Sequence, residues 1–241
     1  MIIVLSSKPL LITTVGDFDH NNLQLLYIDG PLSNLHISLV STPIQTNHVP
    51  PDGIQPTATL YVPGTTQQTK EPHVGTGDSR VQSAVWYRGT LWLAFNDACY
   101  VSSDTKSRSC IRFIQLDTRT SNIRQDFDVV ALGSSLYYPA LSMDKSGNLG
   151  IIFGYSSYSR NPSLLISKVL STDSPDSIEQ PHILKLGTAK ELSDRYGDYF
   201  AASPDPDDGS SIWIAGEYHA LPTWSTYIAE LHISNRTSIQ H

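Results

Sequence analysis

Four times along the chain a short apolar segment runs into a tight polar turn and out into a strongly apolar segment, and this repeated hairpin constrains the fold most. Leu11 to Val15 passes through Asp17 to Asn22 into Leu23 to Ile28, and Val81 to Trp86 passes through Tyr87 to Thr90 into Leu91 to Phe95. Pro139 to Met143 passes through Asp144 to Asn148 into Leu149 to Phe153, and Tyr199 to Ser203 passes through Asp205 to Gly209 into Ile212 to Ala215. The hairpins recur every 58 to 68 residues, counted between Leu23, Leu91, Leu149 and Ile212. Each is followed by a segment alternating apolar with polar residues: Leu35 to Val40, Ile111 to Leu116, Leu164 to Val169 and Tyr227 to Ile233. Alternation marks a half-buried strand, while the near-continuous apolar run before it marks a strand buried on both faces. A fourth strand follows as Thr57 to Val62, Phe127 to Leu132 and His182 to Leu186; after Tyr227 to Ile233 only Ser234 to His241 remain.

These units predict an all-β chain forming a β-propeller of four-stranded antiparallel blades, four in number. Ile2 to Leu5 resembles the fourth strands and is expected to complete the last blade, closing the ring by joining the two ends of the chain. One domain over 1–241 is expected, with repeats at about 10–62, 80–132, 137–186 and 198–233 plus 1–5. A fragment of a larger propeller and a β-sandwich are the alternatives that the same strands allow. Composition favours many short strands, since only 16% of residues are charged and 15 Gly and 15 Pro supply turns.

A net charge of −7 without a basic cluster argues against nucleic acid as a partner, which requires a positive face to displace counterions from phosphates. No apolar run reaches 18 residues, and Met1 to Leu5 is too soon interrupted by polar residues for a signal peptide; no membrane insertion is expected. Cys99 and Cys110 are the two cysteines, separated by a polar loop between two strand-like runs, so a disulfide across the mouth of one hairpin is expected. With the Asn235-Arg-Thr glycosylation triplet it points to a secreted or cell-surface setting.

The turn Asp144-Lys-Ser-Gly147-Asn148 reads as structural, with Asp accepting bonds from its own turn and Gly or Asn taking positive φ. Asp17, Asp19 and Asn21 place oxygen ligands at alternate positions, and Asp205 to Gly209 is a similar acidic turn; these are where calcium would bind, against the plainer reading of a hairpin turn. The eight histidines are scattered without His-x-x-x-His spacing, so no zinc site is expected. The segment Asp194-Arg195-Tyr-Gly-Asp198-Tyr199 is the most unusual one, crowding charges and aromatics just before an inner strand. Arg195 suits a carboxylate in a fork geometry or an ion pair with Asp198 that locks neighbouring blades. Tyr155, Tyr158, Tyr218, His219, Trp224, Arg80 and Arg160 are expected at the same end, forming an aromatic-rich loop face suited to carbohydrate. Candidate catalytic groups are Asp198 and Glu217 as a glycosidase-like carboxylate pair, or Tyr138 as a nucleophile beside Glu217.

Tyr138-Pro-Ala-Leu-Ser-Met-Asp144-Lys-Ser-Gly-Asn148, the stretch from Arg195-Tyr-Gly-Asp-Tyr to Asp208-Gly209, and Trp213-Ile-Ala-Gly-Glu-Tyr218 together resemble a group of uncharacterised exported microbial propeller proteins. These are loosely related to the sialidase and BNR (Asp-box) repeat superfamily. The likeness spans roughly Arg80 to Leu231 and implies a propeller without implying an activity. The resulting expectation is an extracellular recognition module that presents its loop face to a glycan or a surface protein. A sialidase-like hydrolase and a structural unit of a surface assembly are the alternatives.

Overall fold

The computed structural model describes residues 2–4, 10–13, 20–31, 33–56, 73–192, 195–220, 223–233 and 238–240. They form sixteen strands and no α-helix, arranged as four separate antiparallel sheets of four strands. The first sheet is β1 (Ile2–Val4), β2 (Leu10–Thr13), β3 (His20–Asp29) and β4 (His36–Asn47), and the second is β5 (Ser83–Tyr87), β6 (Thr90–Cys99), β7 (Arg108–Asp117) and β8 (Ile123–Val129). The third is β9 (Ser134–Met143), β10 (Leu149–Ser157), β11 (Arg160–Val169) and β12 (His182–Gly187). The fourth is β13 (Ala201–Pro204), β14 (Ser211–Ala220), β15 (Thr223–His232) and β16 (Ser238–Gln240). In every sheet the strands lie side by side in chain order.

Period-two side-chain alternation turns each middle strand into a two-faced wall. Leu91, Leu93 and Phe95 of β6 pack with Leu23 and Leu25 of the first sheet, while Trp92 and Ala94 face the third sheet's Leu136, Ile151 and Phe153. Strand β10 repeats this, with Leu149, Ile151 and Phe153 toward the second sheet and Ile152 toward Ile212, Ile214 and Leu231 of the fourth. Gly150 lies on that second face, and a Cβ there would meet Ile212 Cδ1 at 2.8 Å; the missing side chain is what allows the two sheets to approach. Three core clusters therefore join the sheets in sequence, first to second, second to third and third to fourth. Among the described residues no core cluster joins the fourth sheet back to the first.

Two expectations about the chain ends are corrected. Ile2–Val4 pairs with Leu10–Thr13 inside the first sheet, and the fourth strand of the last sheet is its own Ser238–Gln240, paired with Glu230 to His232. The polar composition of Ser234 to His241 hid that strand, because an edge strand has little apolar surface to bury. The first sheet is also shifted in phase: the hairpin that opens the other three sheets is formed here by β2 and β3, its second and third strands. Thr57 to Val62, expected as a fourth strand, lies outside the described residues.

A buried guanidinium fastens the first sheet to the second. Arg112 on β7 is 3% exposed and pairs with Asp97, Asp126 and Asp128. Two of those carboxylates also accept backbone N–H groups from the end of β4 and beyond, Asp126 from Gln45 at 2.7 Å and Asp97 from His48 at 2.7 Å. Burial pushes the Asp97 and Asp128 carboxyls up, against the pull of Arg112. At the rim of the same sheet Cys99 and Cys110 form the expected disulfide, with Cα atoms 5.9 Å apart. The loop it closes is pinned by a two-bond pair in which Arg108 donates to Asp104 at 2.7 and 3.0 Å.

Replacing Arg112 with Met strands its three carboxylates and is expected to lower stability by about 3–5 kcal/mol in chemical denaturation. A loss below about 1 kcal/mol would show that the cluster does not fasten the sheets. Acid is expected to act through Asp104 and Asp117. The Arg108 side chain holds the first down to about 2, and the Arg119 backbone N–H together with the Arg124 side chain does the same for the second. Both lie below the 3.8 of the unfolded chain, so their contribution is complete above that pH and is lost as pH falls toward 2. Asp104→Asn and Asp117→Asn should each flatten the acid limb of a stability-versus-pH curve.

Candidate functional site

The site rests on a floor of buried aromatic rings. Tyr137, Tyr138 and Tyr196 pack with Val74, their ring centroids 5.4 to 6.2 Å apart. Tyr138 sits in β9 at φ +53°, a conformation that non-glycine residues seldom adopt. Buried Asn96 on β6 holds it there, its Oδ1 accepting the Tyr138 N–H at 2.9 Å while its Nδ2 donates to the Thr76 carbonyl. One amide thus ties the 73–78 segment to the turn of the chain at Tyr138. Gly77, at φ +70°, lies over the Tyr138 ring, where a Cβ would stand 3.3 Å from the ring edge. The Tyr138 hydroxyl donates to the Gly75 carbonyl at 2.9 Å.

Above this floor opens a pocket of about 260 Å³ lined by Asp78, Arg80, Gln82, Tyr138, Arg195, Asp198 and Tyr199, among others. Two ion pairs stand at its rim, Arg80 to Asp78 at 2.6 Å and Arg195 to Asp198 at 2.7 Å. The Tyr199 ring is 74% exposed beside them. Burial pushes the Tyr138 phenol well above 10, and the Asp198 carboxylate adds to the effect against the pull of Arg195. A phenol in that state, already donating its proton to a carbonyl, is poorly suited to nucleophilic attack.

Next to the floor, on the side of the fourth sheet, lies a second group. The carbonyl of His219 on β14 accepts the N–H groups of Thr188 and Ala189 at 2.7 and 3.1 Å, which draws the segment after β12 against the strand. Lys190 then presents its carbonyl to His219 Nδ1 at 3.1 Å, and the Glu191 carboxylate reaches Nε2 at 2.9 Å. The buried Gln55 amide clamps the Glu191 backbone from both sides, donating to its carbonyl at 2.8 Å and accepting its N–H at 2.9 Å. Glu217, also on β14, brings its Oε1 to 3.4 Å from the same Nε2. Its carboxylate occupies the place where a side chain on Gly197 would stand. Burial disfavours the imidazolium, yet the Glu217 and Glu191 carboxylates outweigh it and raise the His219 pKa above 6.5. A pocket of about 280 Å³ lined by Lys190, Glu191, Leu192, Arg195, His219 and Trp224, with Ala189 and Thr223, opens onto this group.

Of the side chains singled out in the sequence, Tyr138, Arg195, Asp198 and Tyr199 meet in the first pocket, and Arg195, His219 and Trp224 line the second. Asp198 and Glu217 have different partners, Arg195 for the one and His219 for the other. Tyr155 packs instead into the core between the second and third sheets. Tyr218 packs between the third and fourth, edge-on to Tyr227 and under the Lys185 ammonium at 5.4 Å. Tyr158 is 56% exposed and lies against the Arg108 guanidinium, away from both pockets. Asp17, Asp19 and Asn235 are outside the described residues, and Asn21 is exposed, accepting from Asn22 at 2.7 Å. The acidic turn at Asp205 is filled by the chain itself, Oδ1 accepting the Asp207 N–H and Oδ2 the Trp213 indole N–H. Asp144 serves its turn in the same way, accepting from Ser146 and Asn148 around Gly147 at φ +84°. Sequence reasoning missed Glu191, Gln55 and Asn96, whose partners lie 20 to 136 positions away and leave no local spacing to read, and Asp78, which pairs with Arg80 two positions on but meets Arg195 and Asp198 only in the folded chain.

No protein-family model matches the chain, and no curated protein matches it. Among solved structures it is similar to a Bombyx mori GH32 beta-fructofuranosidase in complex with sucrose, at 13% identity and a TM-score of 0.30. The match covers 96% of this chain and 62% of that one, so the chain spans about three fifths of that structure's length. A likeness of this size carries no argument about activity.

Asn96→Leu leaves the Tyr138 N–H and the Thr76 carbonyl unpaired and is expected to cost about 2–4 kcal/mol. Denaturant unfolding measures the cost, and tyrosine fluorescence reports whether the aromatic floor loosens with it. A stability loss with unchanged tyrosine emission would show that Asn96 does not set the Tyr138 conformation.

Proposed function

We propose that the four sheets are blades of a β-propeller-like arc and that the protein is an extracellular recognition module for a glycan. Support for the architecture comes from the four-stranded meanders, each in chain order, stacked face to face through successive cores. The disulfide favours an oxidising compartment. The observation that carries the ligand class is the first pocket, where two Arg–Asp pairs and the exposed Tyr199 ring surround about 260 Å³.

The chemistry of that rim fits a sugar. Two guanidinium groups donate and two carboxylates accept, and adjacent hydroxyls of a pyranose or furanose both donate and accept at comparable spacing. The charges of the two pairs cancel, which favours a neutral saccharide over a strongly anionic one. An exposed tyrosine beside such a rim offers a flat apolar face for the C–H side of a sugar ring. A carbohydrate held this way exchanges with solvent easily, because the rim is open and the binding groups are already paired with each other.

A glycosidase reading through Asp198 and Glu217 is the alternative and has less support, since each carboxylate is engaged by a different side chain, Arg195 for the one and His219 for the other. Tyr199→Ala is expected to weaken binding of neutral oligosaccharides by about tenfold or more, as loss of one aromatic contact does. Calorimetry on ligands selected from a glycan array measures this, with no expected change in unfolding midpoint because the ring is exposed. Equal affinity in the variant would exclude the pocket as the glycan site. Hydrolysis products abolished by Asp198→Asn would favour the enzyme instead.

A further inference from the structure

We infer that Glu191, Glu217 and His219 form a binding site for a divalent transition-metal ion, zinc by its donor set. One ligand atom from each side chain falls within 4.8 Å of the others. His219 Nε2 stands 2.9 Å from Glu191 Oε2 and 3.4 Å from Glu217 Oε1. Donors around a tetrahedral zinc ion with bonds of about 2.0 Å are separated by about 3.3 Å, so the two distances from His219 Nε2 are close to those between ligands that share a metal. His219 is only 6% exposed, and its Nε2 has no hydrogen-bond partner despite those short approaches. The carboxylate oxygens therefore do not lie along the direction that a ring N–H would need, as they would in an imidazolium ion pair.

The tautomer and the charge balance agree with that reading. Nδ1–H donates to the Lys190 carbonyl, so in the neutral ring that a metal ion requires the lone pair is on Nε2, facing the two carboxylates, the arrangement that holds metal-binding histidines in place. Two carboxylates and a neutral imidazole are balanced by a divalent ion, whereas a proton on Nε2 would leave one net negative charge buried. One imidazole with two carboxylates suits zinc better than calcium, which asks for six or more oxygen ligands. Three protein ligands leave a fourth position, and the pocket of about 280 Å³ borders Glu191 and His219 with Lys190 and Arg195 also on its wall. That position would take water or an anionic group of a ligand, drawn in by the two cations.

The test is zinc chloride titrated calorimetrically into the chelator-treated full chain, with bound metal counted by mass spectrometry. Cobalt(II) serves as a second probe, because tetrahedral coordination gives strong visible absorption. The expected result is one zinc per chain, weakened at least about tenfold in Glu217→Gln and in His219→Ala, with intense cobalt bands in unmodified protein. Glu217 is the more accessible of the carboxylates and its amide variant keeps the same shape, so circular dichroism on Glu217→Gln separates a lost ligand from a lost fold. Zinc uptake that is absent, or equal in the unmodified protein and Glu217→Gln, would overturn the proposal and leave the three groups as a buried proton-mediated ion cluster. Calcium binding tighter than zinc, or weak octahedral cobalt absorption, would overturn it as well.

Discussion

Everything in this molecule depends on strands that have apolar residues on both faces. A sheet with one apolar face is satisfied by a single neighbour, but β6, β7 and β10 carry two and must be covered twice. Stacking the sheets in a row is the arrangement that meets this demand with short connections. In the first and fourth sheets the described strands are covered less completely. Strand β4 leaves Ile37 and Leu39 exposed, while β14 and β15 leave Trp213 and Ile228 partly or largely in solvent.

Outside the apolar clusters polar groups take over, and these are what place the candidate sites. Asn96, Gln55 and the His219 carbonyl each satisfy backbone groups of a segment that belongs to no sheet. Such loops have no ladder of their own, so a buried side-chain amide does for them what a strand partner does elsewhere. Asp78 in the first pocket, Glu191 in the second and Arg195 in both are carried on these clamped segments or beside them. The glycines at 77 and 197 serve the same packing, one making way for an aromatic ring and the other for a carboxylate.

Much of the sheet content was legible in the sequence because it is written as periodicity. The apolar runs at Leu91 to Phe95 and Leu149 to Phe153 lie within β6 and β10, and the turn at Asp144 has the internal bonds its residues call for. The ends were misread for a physical reason. Ile2–Val4 and Ser238–Gln240 are short and pair at edges, where apolar content says little about which neighbour a strand takes. The Arg195-to-Tyr199 segment was visible as a crowd of charge and aromatics. The residues that share its pockets were not, since Asp78 and Glu191 come to line them beside Arg195 only in the folded chain. Tyr155 and Tyr218 show the converse error, because a tyrosine after a strand signals a loop face and a half-buried core position equally well.

The side-by-side strand order within each sheet also gives folding a direction. Every strand finds its partner in the segment just made, and every sheet finds its facing sheet in the one before, so few loop closures span more than two repeats. The long-distance exceptions are the polar clamps, above all Gln55 to Glu191, which joins residues 136 positions apart. The first pocket likewise joins distant stretches, bringing Asp78 and Arg80 to Arg195 and Asp198, so it is complete only when the segments before the second and fourth sheets have met. The pocket rims are thereby made by contacts between distant segments, in a fold whose walls are built from neighbours.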